Sequence, residues 1–361
     1  MPAIVSVERV SITVSSGSSS GSANLTKGQT LANCVPLHAS SDHGTAAFYA
    51  NRNAFEFTLA AGPDRVVVTR GTTSSTITFE IDVIEFDPTE VSVQSATFSM
   101  ASSTATDDVT ISAVTIADTC LVASGQTATT ETDMSSCLSE YYLSSTTNVK
   151  FTRAFTTHDY DGTVFVMEAI AGVWSVEHDV ISMTGTSVNV TTPVLTIAKT
   201  WHIMSWQAAQ SVDDVDDNLI TGNQTFTTAF QVRRYSSGGT ITGRLQSVEM
   251  ADATTVQQAT ISIASGSETD TDTITAVDTA VTSLSPLGYP TIGGGIGRAD
   301  TSSFGNGDES WAQLTFNSST EIEGDRGSAA AVDSVSDVEA VEWEMPAGPV
   351  SAPGTRVQMA A

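Results

Sequence analysis

Lysine is nearly missing from this chain, standing only at Lys27, Lys150 and Lys199. Its 14 basic residues face 41 acidic ones, for a formal charge of −27. Such a chain has no basic footprint for phosphates, which excludes DNA and RNA as partners and favours a metal or basic partner over an anionic one. Charged residues are only 15% of the total, too few to argue adaptation to a salty medium. Long apolar runs are missing as well. None approaches the roughly 18 residues that cross a bilayer, so membrane insertion is not expected. The opening Met1-Pro2-Ala3-Ile4-Val5-Ser6-Val7-Glu8-Arg9 lacks the basic flank and apolar core of a signal peptide, and it reads as a mature start or one not exported by that route. Cysteine is scarce: Cys34, Cys120 and Cys137 are an odd number spread widely, which indicates neither a disulfide framework nor zinc spacing. Helix formers are few.

Thr, Ser and Val dominate instead, and Thr and Val are branched residues that suit a strand. With 361 residues, 40% of them apolar, the chain has material for several cores rather than one. The expected fold class is all-β, as tandem antiparallel β-sandwich domains.

A repeat supports this reading. Arg70 precedes Glu85, Arg153 precedes Glu168 and Arg234 precedes Glu249, each by 15 residues, and the three arginines stand 83 and 81 residues apart. Each arginine ends an apolar strand and each glutamate ends the next. An alternating strand follows a second marker, Val7-Glu8, Val93-Gln94, Val176-Glu177 or Gln257-Gln258. A third, weaker marker aligns Cys34, Cys120 and Trp201, as if one apolar filler varied between units. In the fourth unit Val341-Glu342-Trp343 matches the closing strand, but Asn317 stands where the arginine is expected. These markers divide the chain into repeats 1–88, 89–171 and 172–251, a divergent repeat 252–345 and a C-terminal arm 346–361, with about six strands per unit. The joints are short, so neighbouring units are expected to touch and to form a rod or compact stack. Ile81 and Val83 share one strand face while Ile84 and Phe86 share the other. Apolar residues on both faces imply a central strand or an interface on the second side.

The stretches Val93-Gln94 through Met100, Thr110-Ile111-Ser112-Ala113-Val114, and Phe151-Thr152-Arg153 leading to Val166-Met167-Glu168 resemble a repeat of tailed-bacteriophage structural proteins. Its layout is similar to that of H-type-lectin-like sandwich modules, and the resemblance covers residues 1 to 345. It implies a virion location and a role as capsid decoration or as a tail or fibre component. It further implies contacts with other virion proteins and with copies of itself. Some lectin relatives bind sugars, which makes a carbohydrate-binding adhesin recognising a host surface glycan the alternative. No sugar site carries over residue by residue.

Among candidate residues, the repeated pairs Arg70/Glu85, Arg153/Glu168 and Arg234/Glu249 read first as structural: a buried ion pair, or an arginine fork tying a strand to a turn. Asp213, Asp214, Asp216 and Asp217 form one acidic run, and Glu268, Asp270 and Asp272 another. Calcium is the cation such runs would suit, although neither run matches a calcium-loop pattern and both read first as solvated turns. No other cofactor is expected. His38, His43, His158, His178 and His202 lack ligand spacing, no serine sits in a nucleophile elbow, and Gly293-Gly294-Gly295-Ile296-Gly297 lacks the lysine of a phosphate loop. The sequence therefore predicts a non-enzymatic protein.

Overall fold

The computed structural model describes residues 3–42, 55–62, 64–71, 73, 76–127, 138–170, 172–209, 218–288, 295–296, 298–299, 311–326 and 333–346. Cys137, His43, Asp213, Asp214, Asp216, Asp217 and nearly all of the 346–361 arm lie outside them.

The chain is an all-β protein of repeated sandwich-like units. The first unit contains β1 (Ile4–Val14), β2 (Ser20–Asn24), β3 (Cys34–Asp42), β4 (Phe55–Ala60), β5 (Arg65–Arg70) and β6 (Ile77–Phe86). The second contains β7 (Val91–Met100), β8 (Thr106–Thr110), β9 (Thr119–Gln126), β10 (Glu140–Ser145), β11 (Asn148–Thr152) and β12 (Tyr160–Ala169). The third contains β13 (Trp174–Met183), β14 (Ser187–Thr191), β15 (Thr200–Ala208), β16 (Thr221–Phe226), β17 (Ala229–Arg233) and β18 (Ile241–Met250). The fourth contains β19 (Thr255–Ile263), β20 (Thr269–Thr273), β21 (Thr282–Pro286), two short strands β22 (Gly295–Ile296) and β23 (Arg298–Ala299), then β24 (Trp311–Ser318), β25 (Glu321–Asp325) and β26 (Ser334–Glu342).

Every unit repeats one topology. The closing strand lies between the first and third in one antiparallel sheet, as in β1-β6-β3, while the fifth lies between the second and fourth in the other, as in β2-β5-β4. Alternation in the sequence drives this arrangement: on β1, Val10, Ile12 and Val14 are buried while Ser11 and Thr13 face solvent. The inward residues of both sheets build a core for each unit. In the first, Ile12 and Val14 meet Phe55, Val68, Phe79 and Ile81.

The opposite faces of the four closing-strand sheets are apolar too, and they meet one another. Ile84 and Phe86, Met167 and Ala169, Val248 and Met250, and Val341 and Trp343 enter a single shared core with Trp174 and Trp201. Both alternatives for a two-faced strand thus hold at once. Each closing strand is central in its sheet and its second side is an interface. The units do not form a rod: β4 packs on β9 and β12, β10 on β15 and β18, β16 on β26, and β24 on β3, so the fourth unit returns to the first and closes a ring. Individual residues also cross the boundaries. Ala39 joins the fourth unit's core, and Leu138 and Leu287 join the third's.

Candidate functional site

Arg70, Arg153 and Arg234 are buried, and their guanidinium groups donate to carbonyls of the turn between the first two strands. Arg70 reaches Ser15 O and Ser18 O, Arg153 reaches Met100 O, Ala101 O and Thr104 O, and Arg234 reaches Gly185 O. The fourth unit keeps this device. Arg326, just after β25, donates to Ala264 O at 2.8 Å and Ser267 O at 2.9 Å. Asn317 is on β24, a different strand, so the expected alignment there was off by one element. In three of the four units this turn contains a left-handed residue: Gly17 and Gly266 have φ of 89° and 80°, and in the second unit Ser103 takes the same place at 72°.

The glutamates act at the other end of the unit. Glu85 accepts Thr30 N–H, Glu168 accepts Thr115 N–H, Glu249 accepts Thr196 N–H and Glu342 accepts Asp278 N–H, all at 2.7–2.8 Å. In the first three units the donor is the residue that opens a 3-10 turn before the third strand. Register separates the two devices, because Ile77 pairs with Val14 beside the arginine's turn while Glu85 pairs with Cys34.

Asp270 and Asp272 accept Ser262 N–H and Thr260 N–H, each at 2.8 Å, from the exposed edge of β19. Among the described residues no group of three or more His, Cys, Asp or Glu is arranged to hold a metal. Cys34 and Cys120 do not share a repeat position. Cys34 pairs with Glu85, as Thr119 does with Glu168 and Thr200 with Glu249, whereas Cys120 pairs with Met167. One step along a strand reverses the face, so Cys34 enters the first unit's core and Cys120 the shared core. Burial pushes the Cys34 thiol up to about 12, with the charges of Glu85, Asp64 and Glu8 adding to it.

The unit boundaries use two further repeated positions that the sequence markers did not single out. The first is the closing-strand residue three before the repeated glutamate. Gln246 exchanges two hydrogen bonds with the backbone of Leu121, Glu339 accepts His202 N–H and Nδ1–H at 2.8 and 2.7 Å, and Asp82 accepts Leu284 N–H at 3.3 Å. At the remaining boundary the residue is Phe165, and the matching third-strand position is Pro36, which has no N–H to give. The second position lies on the opening strand. Arg9 donates to Thr282 O and Asp82 and lies over the Phe316 ring, His178 Nε2–H donates to Ile116 O and Thr119 O at 3.1 Å, and Gln258 accepts Gln224 N–H. Each of these plugs a boundary. The counterpart in the second unit is Ser95, by its pairing with Phe165, and a serine is too short to cross.

The result is a cleft of about 1060 Å³ between the first and second units. Leu31, Ala32, Leu59 and Phe165 form its apolar side, and Ser95, Thr97, Ser99, Asp107 and Asp108 its polar side. Among the described residues no Lys, Arg or His lines it. Counting one residue beyond Glu8, Gln94, Glu177 and Gln257 would have exposed the Arg9, Ser95, His178, Gln258 series in the sequence. No protein-family model matches this chain, and no curated protein matches it.

Proposed function

We propose that the protein is a non-enzymatic structural component of a bacteriophage virion, a capsid decoration or a tail or fibre part that acts through contacts with other virion proteins and with copies of itself. Its repeated polar residues serve the fold: the arginines hold turns, the glutamates hold the approach to the third strand, and the boundary residues join units. The observation that carries the reading is an apolar pair on the third unit. Phe226 and Val194 are 66% and 76% exposed, and Thr227 O accepts Leu195 N–H beside them. By register and by the same turn bonds, the second and fourth units carry Ser145 and Ser318, Ala113 and Ala276 at those places. A ring unit that replaces small and polar tips with exposed apolar ones has gained a contact surface.

The test is imaging of assembled particles together with quantitation of the chain on purified particles for wild type and for the double variant Val194→Ala, Phe226→Ser. The expected result is density for the four-unit ring on the particle and a clear loss of occupancy in the variant. Absence of the chain from particles would overturn the reading. An adhesin with one shallow glycan site per unit draws less support, because Arg9, His178 and Gln258 fill three of the four boundaries.

A further inference from the structure

The cleft beside Ser95 contains an edge strand. β7 is bonded to β12 on one side only, and its other side faces the first unit. Ser99 N–H turns away from β12 to Asp107 at 2.8 Å. In an antiparallel strand alternate residues point the same way, so the N–H and C=O groups of Ser95 and Thr97 also turn outward. Both side chains are exposed.

The fourth unit shows how such an edge is closed. On β19 the two corresponding N–H groups, of Thr260 and Ser262, are both held by carboxylates, Asp272 and Asp270. Register against β11 and β25 makes Asp107 the counterpart of Asp270 and Val109 the counterpart of Asp272. Val109 has no acceptor to offer Thr97. The second unit therefore lacks two protections at one place: the side chain that plugs the boundary and the carboxylate that covers the ladder. Open edges are pairing templates unless blocked.

We propose that this cleft binds an extended peptide segment of another protein, which adds to β7 as a further strand through the backbone of Ser95 and Thr97. The occupant is uncharged or basic, because the described lining carries Asp107 and Asp108 and no Lys, Arg or His, on a chain of net charge −27. Its apolar side chains rest on Leu31, Ala32 and Leu59 while the alternate ones face the acidic rim. Main-chain bonds supply affinity and the two walls supply preference, as in strand-addition recognition generally. A sugar is less suited, since the aromatic residues of the lining, Phe98 and Phe165, are 3% and 4% exposed and present no stacking face. Peptide binding here goes beyond the particle role and does not depend on it, because the assay uses the isolated full chain and a synthetic probe.

The probe is a fluorescein-labelled hexapeptide alternating valine and lysine, followed by fluorescence anisotropy. Saturable binding is expected, weakened at least about tenfold by Ser95→His, which writes in the plug found at residue 178, and similarly by Thr97→Pro, which removes one outward N–H from an edge where proline is tolerated. Unfolding midpoints should stay near wild type for Ser95→His, whose side chain faces solvent. The same peptide N-methylated at alternate amides should lose binding, and the valine–glutamate analogue should bind more weakly. Failure of the probe to saturate, or equal binding by Ser95→His, would overturn the proposal. So would displacement of the probe by maltohexaose, which would assign the cleft to carbohydrate instead.

Discussion

Cys34 donates its thiol to Thr30 O at 3.4 Å, where the other units place Thr119, Thr200 and Thr282 with hydroxyls 2.6–2.9 Å from the matching carbonyl. A hydroxyl is the stronger donor, and a neutral hydrogen bond contributes on the order of 1 kcal/mol. Cys34→Thr should therefore leave stability unchanged or raise it by up to about 1 kcal/mol. Cys120 is fully buried in the shared apolar core, so Cys120→Thr should cost about 1–3 kcal/mol for a desolvated hydroxyl. Urea midpoints of the two variants check the assignment. Equal effects would mean that the two cysteines occupy equivalent sites after all. At this scale much was legible in advance. The arginine–glutamate series was visible because each residue meets one demanding chemical need, the arginine forking to several carbonyls and the glutamate accepting one N–H. The cysteine was misplaced because a small apolar residue leaves no mark of which face it takes, and a one-residue slip goes unnoticed without register.

Elements meet across the ring through polar side chains on β-strands, among them the imidazole of His178 on β13. Burial holds its imidazole below the ordinary 6.5, against the pull of Ile116 O, Thr119 O and Glu177, and with Arg244 acting in the same direction as burial. The folded protein thus favours the neutral ring. As pH falls below that ordinary value the unfolded chain takes up the proton first, so the stability present above it is lost until the folded group protonates as well. Wild type should lose thermal stability between about pH 7 and pH 5 more steeply than His178→Gln, which keeps an N–H donor but has no proton to gain. Parallel melting curves against pH for the two proteins would show that the second and third units are not joined through this ring. The strand order within a unit was only partly legible. Period two identifies a strand and its buried face, yet it does not say which strand is its neighbour. That ambiguity leaves β24 and β25 interchangeable in the sequence, and with them the place of the fourth unit's arginine. The plug positions stayed hidden for a different reason: Arg9, Ser95, His178 and Gln258 share no chemistry, only a place in the register.

The whole molecule differs from a linear array in how its units depend on one another. In a solenoid each repeat touches its neighbours alone, and removal of a terminal repeat leaves a shorter stable array. Here the fourth unit contributes Val256, Val341 and Trp343 to the shared core, lends Leu287 to the third unit, accepts Ala39 from the first, and holds Arg9 and Asp82 at the closing boundary. A fully buried large apolar side chain contributes roughly 1.5–3 kcal/mol, so exposing several at once exceeds the net stability of about 5–15 kcal/mol that a folded domain usually retains. The full chain should therefore melt in one transition whose calorimetric and van't Hoff enthalpies agree, although it contains four sandwiches. A fragment of residues 1–251 should aggregate or expose a dye-binding apolar surface, with no sharp transition of its own. If that fragment instead ran as a monomer in size-exclusion chromatography and melted cooperatively, the shared core would be a contact between independent domains, and the ring would have to owe its shape to the joints rather than to burial.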